Sequence, residues 1–235
     1  MIKIEQLYKN FGKVKVLEGL DLDITDKGIF AILGPNGSGK TTLIKSILGM
    51  VIPQKGRIFF QGEPVLGKWD YRSNISYLPQ IAQFPVNLKV YELIDMIKNI
   101  RGQTSNEERL IDLFKVQPFM DKKLGTLSGG TKQKINLVLT FMFDSDLIIL
   151  DEPTTGLDPV ALIYLKELIQ EEKAKGKLIL VTTHIKKLVE EIADKIVFIL
   201  DGKIYFEGTV NEIQSKTGEY DLEHAIANIL KETYA

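Results

Sequence analysis

The stretch that decides the fold is Gly34-Pro35-Asn36-Gly37-Ser38-Gly39-Lys40-Thr41, which fits the pattern G-x-x-x-x-G-K-[ST] at every position. It follows an apolar run at residues 29–33 and precedes a helix predicted to begin at Lys40 and to end near Met50. A strand, a glycine-rich loop and a helix in this order are typical of a phosphate-binding loop. Its glycines allow positive φ angles, so successive backbone N–H groups can point at phosphates. The stretch therefore predicts a nucleoside triphosphate site.

Individual side chains of this loop suggest how it would hold the triphosphate. Lys40 would bring a full positive charge to the β and γ phosphates, and the Thr41 hydroxyl could ligate Mg²⁺. Thr42 lies in the same first turn of the helix, whose N-terminus adds a partial positive charge. We therefore expect all residues from Gly34 to Thr42 to contact the nucleotide.

Composition excludes several other functions. Hydrophobic residues make up 44% of the 235 residues, charged residues 26%, and the formal net charge is -1. This balance gives no electrostatic basis for broad nucleic-acid binding, so no nucleic-acid partner is expected. The absence of cysteine excludes disulfides, thiolate metal sites and thiol catalysis.

Hydropathy predicts a soluble chain. The apolar runs are of strand length and do not approach the roughly 18 apolar residues of a membrane span. The N-terminus lacks the long apolar segment of a secretory signal. Any membrane role should therefore come through a partner.

The apolar pattern predicts an α/β fold. Apolar and polar residues alternate over residues 1–28, which indicates antiparallel strands, whereas residues 86–143 show helical spacing. Strands and helices then alternate from residue 147 onward, with a strand predicted at residues 178–182, which indicates a parallel sheet covered by helices. We predict a catalytic core from residues 1–85 and 144–210, an inserted helical subdomain at 86–143 and a C-terminal tail at 211–235.

Paired acids follow a buried strand predicted at residues 147–150. Asp151 would hold Mg²⁺ near the triphosphate, and Glu152 could polarise an attacking water as general base. An exposed acidic turn is the structural alternative, which the presence of the loop at 34–41 disfavours. Asp151 and Glu152 therefore extend the predicted site from binding to hydrolysis.

The segment Leu127-Ser128-Gly129-Gly130-Thr131 begins another predicted helix. Ser128 and the two glycines would form a second anion-binding helix end, and an ordinary N-cap would explain Ser128 alone. The segment resembles the L-S-G-G-Q signature of ATP-binding cassette (ABC) ATPases. Thr131 stands where that family usually has Gln.

Further motifs resemble this family in its order along the chain. Gln80 resembles the glutamine that senses Mg²⁺ and the γ-phosphate, and His184 resembles the switch histidine. Asp158 resembles the aspartate that reaches across a dimer interface, although it could also cap the helix that follows. Phe11 is the predicted adenine-stacking aromatic, with Tyr8 as the alternative.

The resemblance covers about residues 2–208 and implies a P-loop NTPase fold, with a RecA-like parallel sheet, an N-terminal antiparallel subdomain and an inserted helical subdomain. It implies ATP hydrolysis with Mg²⁺ in a head-to-tail pair of cassettes, here a homodimer. In that pair the phosphate-binding loop of one chain faces Ser128, Gly129 and Gly130 of the other. It also implies a transmembrane permease subunit that holds the chain on the cytoplasmic, inner face of the cell membrane.

Two segments suggest a subfamily. The segment Asp221-Leu222-Glu223-His224-Ala225-Ile226 resembles the ending of ATPases that serve ABC-2-type exporters. The signature variant and Met142-Phe143-Asp144 resemble the ATPase of the Nos system, which supports copper-site maturation of nitrous oxide reductase. The alternative is a soluble ABC ATPase that drives assembly, as in iron–sulfur cluster biogenesis. A non-enzymatic scaffold is disfavoured by Asp151, Glu152 and His184.

Overall fold

The computed structural model describes residues 1–234, and the chain forms two compact units. One unit comprises Met1–Tyr71 and the chain from Leu178 onward, and the other comprises Arg72–Lys177. The strands are β1 Ile2–Phe11, β2 Val14–Ile24, β3 Gly28–Leu33, β4 Lys55–Phe60, β5 Glu63–Pro64, β6 Ile75–Leu78, β7 Leu147–Asp151, β8 Leu178–Thr182, β9 Lys195–Leu200 and β10 Lys203–Gly208. The α-helices are α1 Lys40–Ile47, α2 Val90–Arg101, α3 Glu107–Leu113, α4 Gly129–Phe141, α5 Pro159–Ala174, α6 Lys186–Ile192, α7 Val210–Thr217 and α8 Leu222–Tyr234.

The first unit contains an antiparallel sheet in the order β2-β1-β4-β5. Its register pairs Ile2 with Ile24 and Ile4 with Leu22, and these four side chains are buried. The polar residues between them point to the other face, because successive side chains of a strand alternate. The expected antiparallel strands in residues 1–28 are thus confirmed.

The same unit contains β3 between two parallel neighbours, β8 and β9, with β10 antiparallel at the edge of β9. Every residue of β3 and β8 is buried. Strands buried on both faces read as continuous apolar runs, which explains the run that precedes the glycine loop. The parallel sheet expected from the sequence is confirmed.

Helix α1 ends at Ile47, before the end expected near Met50. Gly49 has φ 65°, and the Met50 N–H donates to the carbonyl of Lys45. This left-handed glycine with a backward hydrogen bond is the usual C-terminal cap, and it stops the helix.

The C-terminal segment folds onto the parallel sheet. Thr209 and Glu212 form a reciprocal capping box at the start of α7. The buried side chains that join α7 and α8 to β3 and β9 are Ala31, Leu33, Ile196, Phe198, Leu200, Ile213, Leu222, Ala225, Ile226 and Ile229. Most of the tail expected at 211–235 is therefore helical and packed, and residue 235 lies outside the described residues.

The second unit contains the parallel pair β6 and β7 together with helices α2 to α5. Three of these helices, α2 to α4, lie within residues 86–143, where the sequence shows helical spacing. The assignment of 86–143 as a separate subdomain stays a prediction.

A buried ion pair lies at the C-terminal end of the second unit. The side chains of Glu172 and Lys177 are 6% and 9% exposed and contact each other, and Lys177 also pairs with Asp144 at 2.7 Å. Burial disfavours the charged ammonium, but hydrogen bonds to Asp144 and Glu172 outweigh it and raise the pKa of Lys177. Lys177 is therefore charged inside the protein.

The variant Glu172→Leu tests this ion pair. Removing Glu172 leaves the buried Lys177 ammonium with only the exposed Asp144 as a partner, so we expect a loss of about 3 kcal/mol in the free energy of unfolding. Adding Lys177→Met should restore more than half of that loss, because neither charge is then buried. Urea denaturation measures both effects.

Glu171→Leu is the matched control, because Glu171 precedes Glu172 but pairs with Arg109 at the surface. Such exposed pairs contribute about 0–1 kcal/mol, so this variant should unfold close to the wild type. Equal destabilisation by both single variants would contradict the interpretation.

Candidate nucleotide-binding site

The loop after β3 has a backbone that requires glycine at two positions. Gly34 has φ 149° and Gly39 has φ 105°. A Cβ on Gly34 would lie 2.2 Å from the carbonyl oxygen of Ile199, and one on Gly39 would lie 2.8 Å from that of Val16. Neither contact is sterically possible for a side chain, so the loop depends on these glycines.

The polar side chains of this loop and of the first turn of α1 differ in exposure and in hydrogen bonding. The Lys40 ammonium donates to the carbonyl oxygens of Gly34 at 2.8 Å and Pro35 at 3.0 Å. Thr41 is exposed and Thr42 partly exposed. Ser38 is buried, and its Oγ has no hydrogen-bond partner within the described part of the chain. A buried hydroxyl of this kind calls for an explanation, and a bound polar ligand would provide one.

His184 lies at the same sheet edge as the loop. Strands β3 and β8 pair in parallel with Ile32 opposite Thr182. Gly34 and His184 each follow two residues later, so both leave the sheet at its carboxyl edge. This edge is where parallel α/β sheets bind ligands. The first unit therefore brings together two of the predicted site elements.

Phe11 and Tyr8 differ in their surroundings. Phe11 is 51% exposed at the β1–β2 hairpin tip, with the Lys9 Nζ 5.0 Å from its ring centroid. The Tyr8 hydroxyl instead packs beside Gly19, where an added Cβ would lie 2.6 Å from it. The exposed ring of Phe11 is thus the better placed of the two to stack on a ligand.

Gln80, Asp151 and Glu152 meet at a sheet edge of the second unit. Strands β6 and β7 pair in parallel with Leu78 opposite Leu150, so Gln80 and Glu152 each lie two residues beyond a paired position. Asp151 and Glu152 are 3% and 8% exposed, whereas Gln80 is exposed. The second unit thus brings together an amide and two acids.

The charge of Asp151 also acts on a neighbouring side chain of β6. Burial, and secondly the negative charge of Asp151, raises the pKa of Tyr77 to about 12. Tyr77 therefore keeps its proton at physiological pH, and it adds no second negative charge beside Asp151.

Glu152 has an unusual backbone conformation. Its φ is 50°, in the left-handed region, and Pro153 follows it. Left-handed backbone is costly for residues other than glycine, and a following proline restricts the choice further. Such strain costs about 1–3 kcal/mol and persists only where surrounding contacts enforce it.

Ser128 is the N-cap of α4. Its Oγ accepts a hydrogen bond from the Thr131 N–H at 3.3 Å and lies 2.9 Å from the Thr131 hydroxyl. The departure from the signature at Thr131 therefore adds a contact to the cap. The N-cap interpretation of Ser128 is confirmed. Gly129 and Gly130 are the first two residues of the helix, so their backbone N–H groups have no acceptor within it.

Asp158 is the N-cap of α5. One carboxylate oxygen accepts from the Ala161 N–H at 2.9 Å, and the other lies 2.5 Å from the Lys134 Nζ. The hydrogen bond from Lys134 and the hydrogen bond from the α5 backbone lower the pKa of Asp158. The capping role expected as one alternative is confirmed, and the role across a dimer interface stays a prediction.

Two residues that sequence reasoning missed lie on α4. Gln133 and Asn136 are buried, and their side-chain amides donate to the carbonyl oxygens of Pro153 at 3.0 Å and Pro79 at 3.4 Å. These prolines are the neighbours of Glu152 and Gln80 in the chain. Polar residues at buried positions of a helix were the signal that could have found them.

The described residues contain no ready-made metal site and no membrane span. Within residues 1–234, no three or more His, Cys, Asp or Glu side chains form a group that could hold a metal ion. Among these residues, none of the helices combines the length and apolar character needed to cross a membrane.

Comparison with known proteins identifies the family. The family model for the ABC transporter matches residues 17–155. Nod factor export ATP-binding protein I of Burkholderia orbicola (strain AU 1054) is 33% identical over 224 residues, which cover 92% of this chain and 74% of that protein. Lantibiotic transport ATP-binding protein SrtF of Streptococcus pyogenes is 33% identical over 213 residues, covering 88% and 90%.

A solved structure agrees over nearly the whole chain. It is described as the ATP binding subunit of an ABC transporter, and it superposes with a TM-score of 0.90 at 30% identity, covering 98% of this chain and 99% of that one. The fold, the loop at 34–41 and the matched family lead to one conclusion. The chain belongs to the ABC transporter family, as one of its ATP-binding ATPase subunits.

Proposed function

We propose that this ATPase subunit powers the export of a substrate through a separate transmembrane subunit. The observation that carries the ATPase part is the loop at 34–41, where Gly34 and Gly39 leave no room for a Cβ and the backbone can close around a triphosphate. Export is proposed because relatives at 33% identity are named for Nod factor export and lantibiotic transport.

ATP is proposed to bind along the loop, from Gly34 to Thr42. The Lys40 ammonium would exchange its two carbonyl contacts for phosphate oxygens, which are stronger acceptors because they are charged. The Ser38 hydroxyl would gain a partner. Phe11 is proposed to stack on the adenine, because its ring is more exposed than that of Tyr8.

Mg²⁺ is proposed to accompany ATP. The donors assigned to it are the Thr41 hydroxyl, the Asp151 carboxylate and the Gln80 amide oxygen. Mg²⁺ prefers oxygen donors and usually combines one or two carboxylates with substrate phosphates, so this donor set fits it. Bound Mg²⁺ would neutralise charge that develops on the phosphates.

Hydrolysis is proposed to use Glu152 as general base, which orients water and accepts its proton. His184 is proposed to contact the γ-phosphate, and Gln80 to sense it. The left-handed backbone at Glu152 agrees with this role, because strained residues cluster at functional sites.

Pairing of two chains is proposed to complete each site. Ser128, Gly129 and Gly130 would bind the nucleotide held by the loop of a partner chain through the N-terminus of α4. Asp158 would contact the same partner. An identical second chain is the proposed partner, which makes the complex a homodimer.

A permease is proposed to hold the pair on the inner face of the cell membrane. An ABC-2-type exporter is the specific partner that the segment 221–226 favours, and the Nos system is the one that the signature variant favours. Affinity purification from solubilised membranes tests both. An ABC-2-type permease should co-purify, whereas capture of soluble assembly proteins alone would favour the iron–sulfur type alternative.

Gly34→Ala tests the loop. The added Cβ would collide with the carbonyl of Ile199, so we expect the Kd for ATP to rise at least about tenfold, which matches the roughly 1–3 kcal/mol of such strain. Gly62→Ala is the matched control, with φ 85° and nothing within 4 Å of the added Cβ. Calorimetric titration of both folded variants should separate them, and equal affinities would contradict the loop geometry.

Glu152→Gln tests the general base. The variant keeps the size and one oxygen of the side chain, so ATP should bind normally while turnover falls at least about 100-fold. Size-exclusion chromatography with ATP should show a trapped dimer. Glu167→Gln, at an exposed position of α5, is the control and should hydrolyse ATP as the wild type does. Undiminished turnover in the Glu152 variant would exclude Glu152 as the base.

A further inference from the structure

The loop that follows Glu152 is held by one face of helix α4. Gln133 donates to the Pro153 carbonyl at 3.0 Å, and Lys134 pairs with Asp158 at 2.5 Å. One turn earlier, Gly130 lies so close to the loop that an added Cβ would be 2.7 Å from the Gly156 carbonyl oxygen. Gly130, Gln133 and Lys134 lie at positions i, i+3 and i+4 and therefore share one helix face. Their three contacts are spread along the loop.

These contacts coincide with backbone strain in the loop. Glu152 has φ 50° and Gly156 has φ 75°. A strained residue keeps its conformation only when its surroundings enforce it, and the carbonyl that Gln133 holds belongs to the residue next to Glu152. Gln133 is itself buried, so its amide hydrogen bond is not readily replaced by water.

We propose that Gln133 and Lys134 are positioning residues, which hold the 152–158 loop so that the Glu152 carboxylate is oriented for hydrolysis. Neither side chain needs to touch ATP. Gln133 holds the carbonyl of Pro153, the residue after Glu152, and Lys134 fixes the far end of the loop through Asp158. The proposal rests on the proposed role of Glu152 as general base.

Steady-state kinetics can distinguish a residue that positions Glu152 from one that only stabilises the fold. A residue that only stabilises the unit would change the folded fraction and leave the turnover of folded molecules intact. A residue that orients Glu152 would lower kcat with little change in KM, because ATP binding depends on the loop at 34–41.

The experiment measures steady-state ATP turnover of the full-length chain at a protein concentration that gives maximal specific activity. Gln133→Leu keeps the side-chain volume but removes the amide, and we expect kcat to fall about tenfold with KM within about twofold of the wild type. Lys134→Met should lower kcat about threefold, since its ion pair is partly exposed. Lys134→Arg should restore most of that loss.

Lys122→Met is the control. Lys122 is exposed in the same unit, outside α4, and forms no ion pair within residues 1–234, so the kcat of this variant should equal that of the wild type. Each variant is also built with Glu152→Gln, and ATP-driven dimer formation is measured. Gln133→Leu should leave this dimer unchanged, because Gln133 acts on hydrolysis after binding, whereas Lys134→Met also releases Asp158, which is proposed to contact the partner chain.

Three outcomes would overturn the proposal. They are a kcat for Gln133→Leu and Lys134→Met within about twofold of the wild type, a loss of kcat that follows the loss of folded protein in thermal melts, and a parallel loss of the ATP-driven dimer in Gln133→Leu. If Gln133→Leu does not fold, the partly exposed Lys134 pair decides alone. Absence of turnover in the wild type would overturn the proposed function itself, and it is recognised before any substitution is made.

Discussion

The close approach of the Gly34 backbone to the Ile199 carbonyl is the constraint on which the site depends. An added Cβ would lie 2.2 Å from that oxygen, so the chain can leave β3 in this direction only at glycine. The turn directs the loop at 34–41 along the carboxyl edge of the sheet, beside the end of β8. Because β3 and β8 are wholly buried, the loop leaves the sheet from packed strands, which position a binding site more precisely than loops alone.

In the second unit, a residue other than glycine leaves a buried strand with a positive φ angle. Glu152 leaves β7 with a left-handed backbone although it is not glycine and precedes proline. Helix α4 contacts the loop that follows, where Gln133 donates to the Pro153 carbonyl, and Ser128 caps the same helix.

Much of the fold and of the site could be predicted from the sequence, because both depend on local patterns. The run at Leu178–Thr182 is a strand with the expected bounds, and the loop at 34–41 has the expected glycine-dependent geometry. The contacts of Gln133 and Lys134 could not be predicted, since they join residues about 20 positions apart and depend on how α4 packs. The early end of α1 at Ile47 was readable in principle from Gly49, which caps it.

The central claim is that one chain holds only half of each hydrolytic site, since the loop at 34–41 and the segment Ser128–Gly130 would serve different nucleotides. ATP turnover per chain, measured against protein concentration alongside sedimentation of the same samples, tests this claim most directly. Specific activity should rise with the dimer fraction and approach zero where the chain is monomeric. Full turnover by a strictly monomeric chain would contradict it.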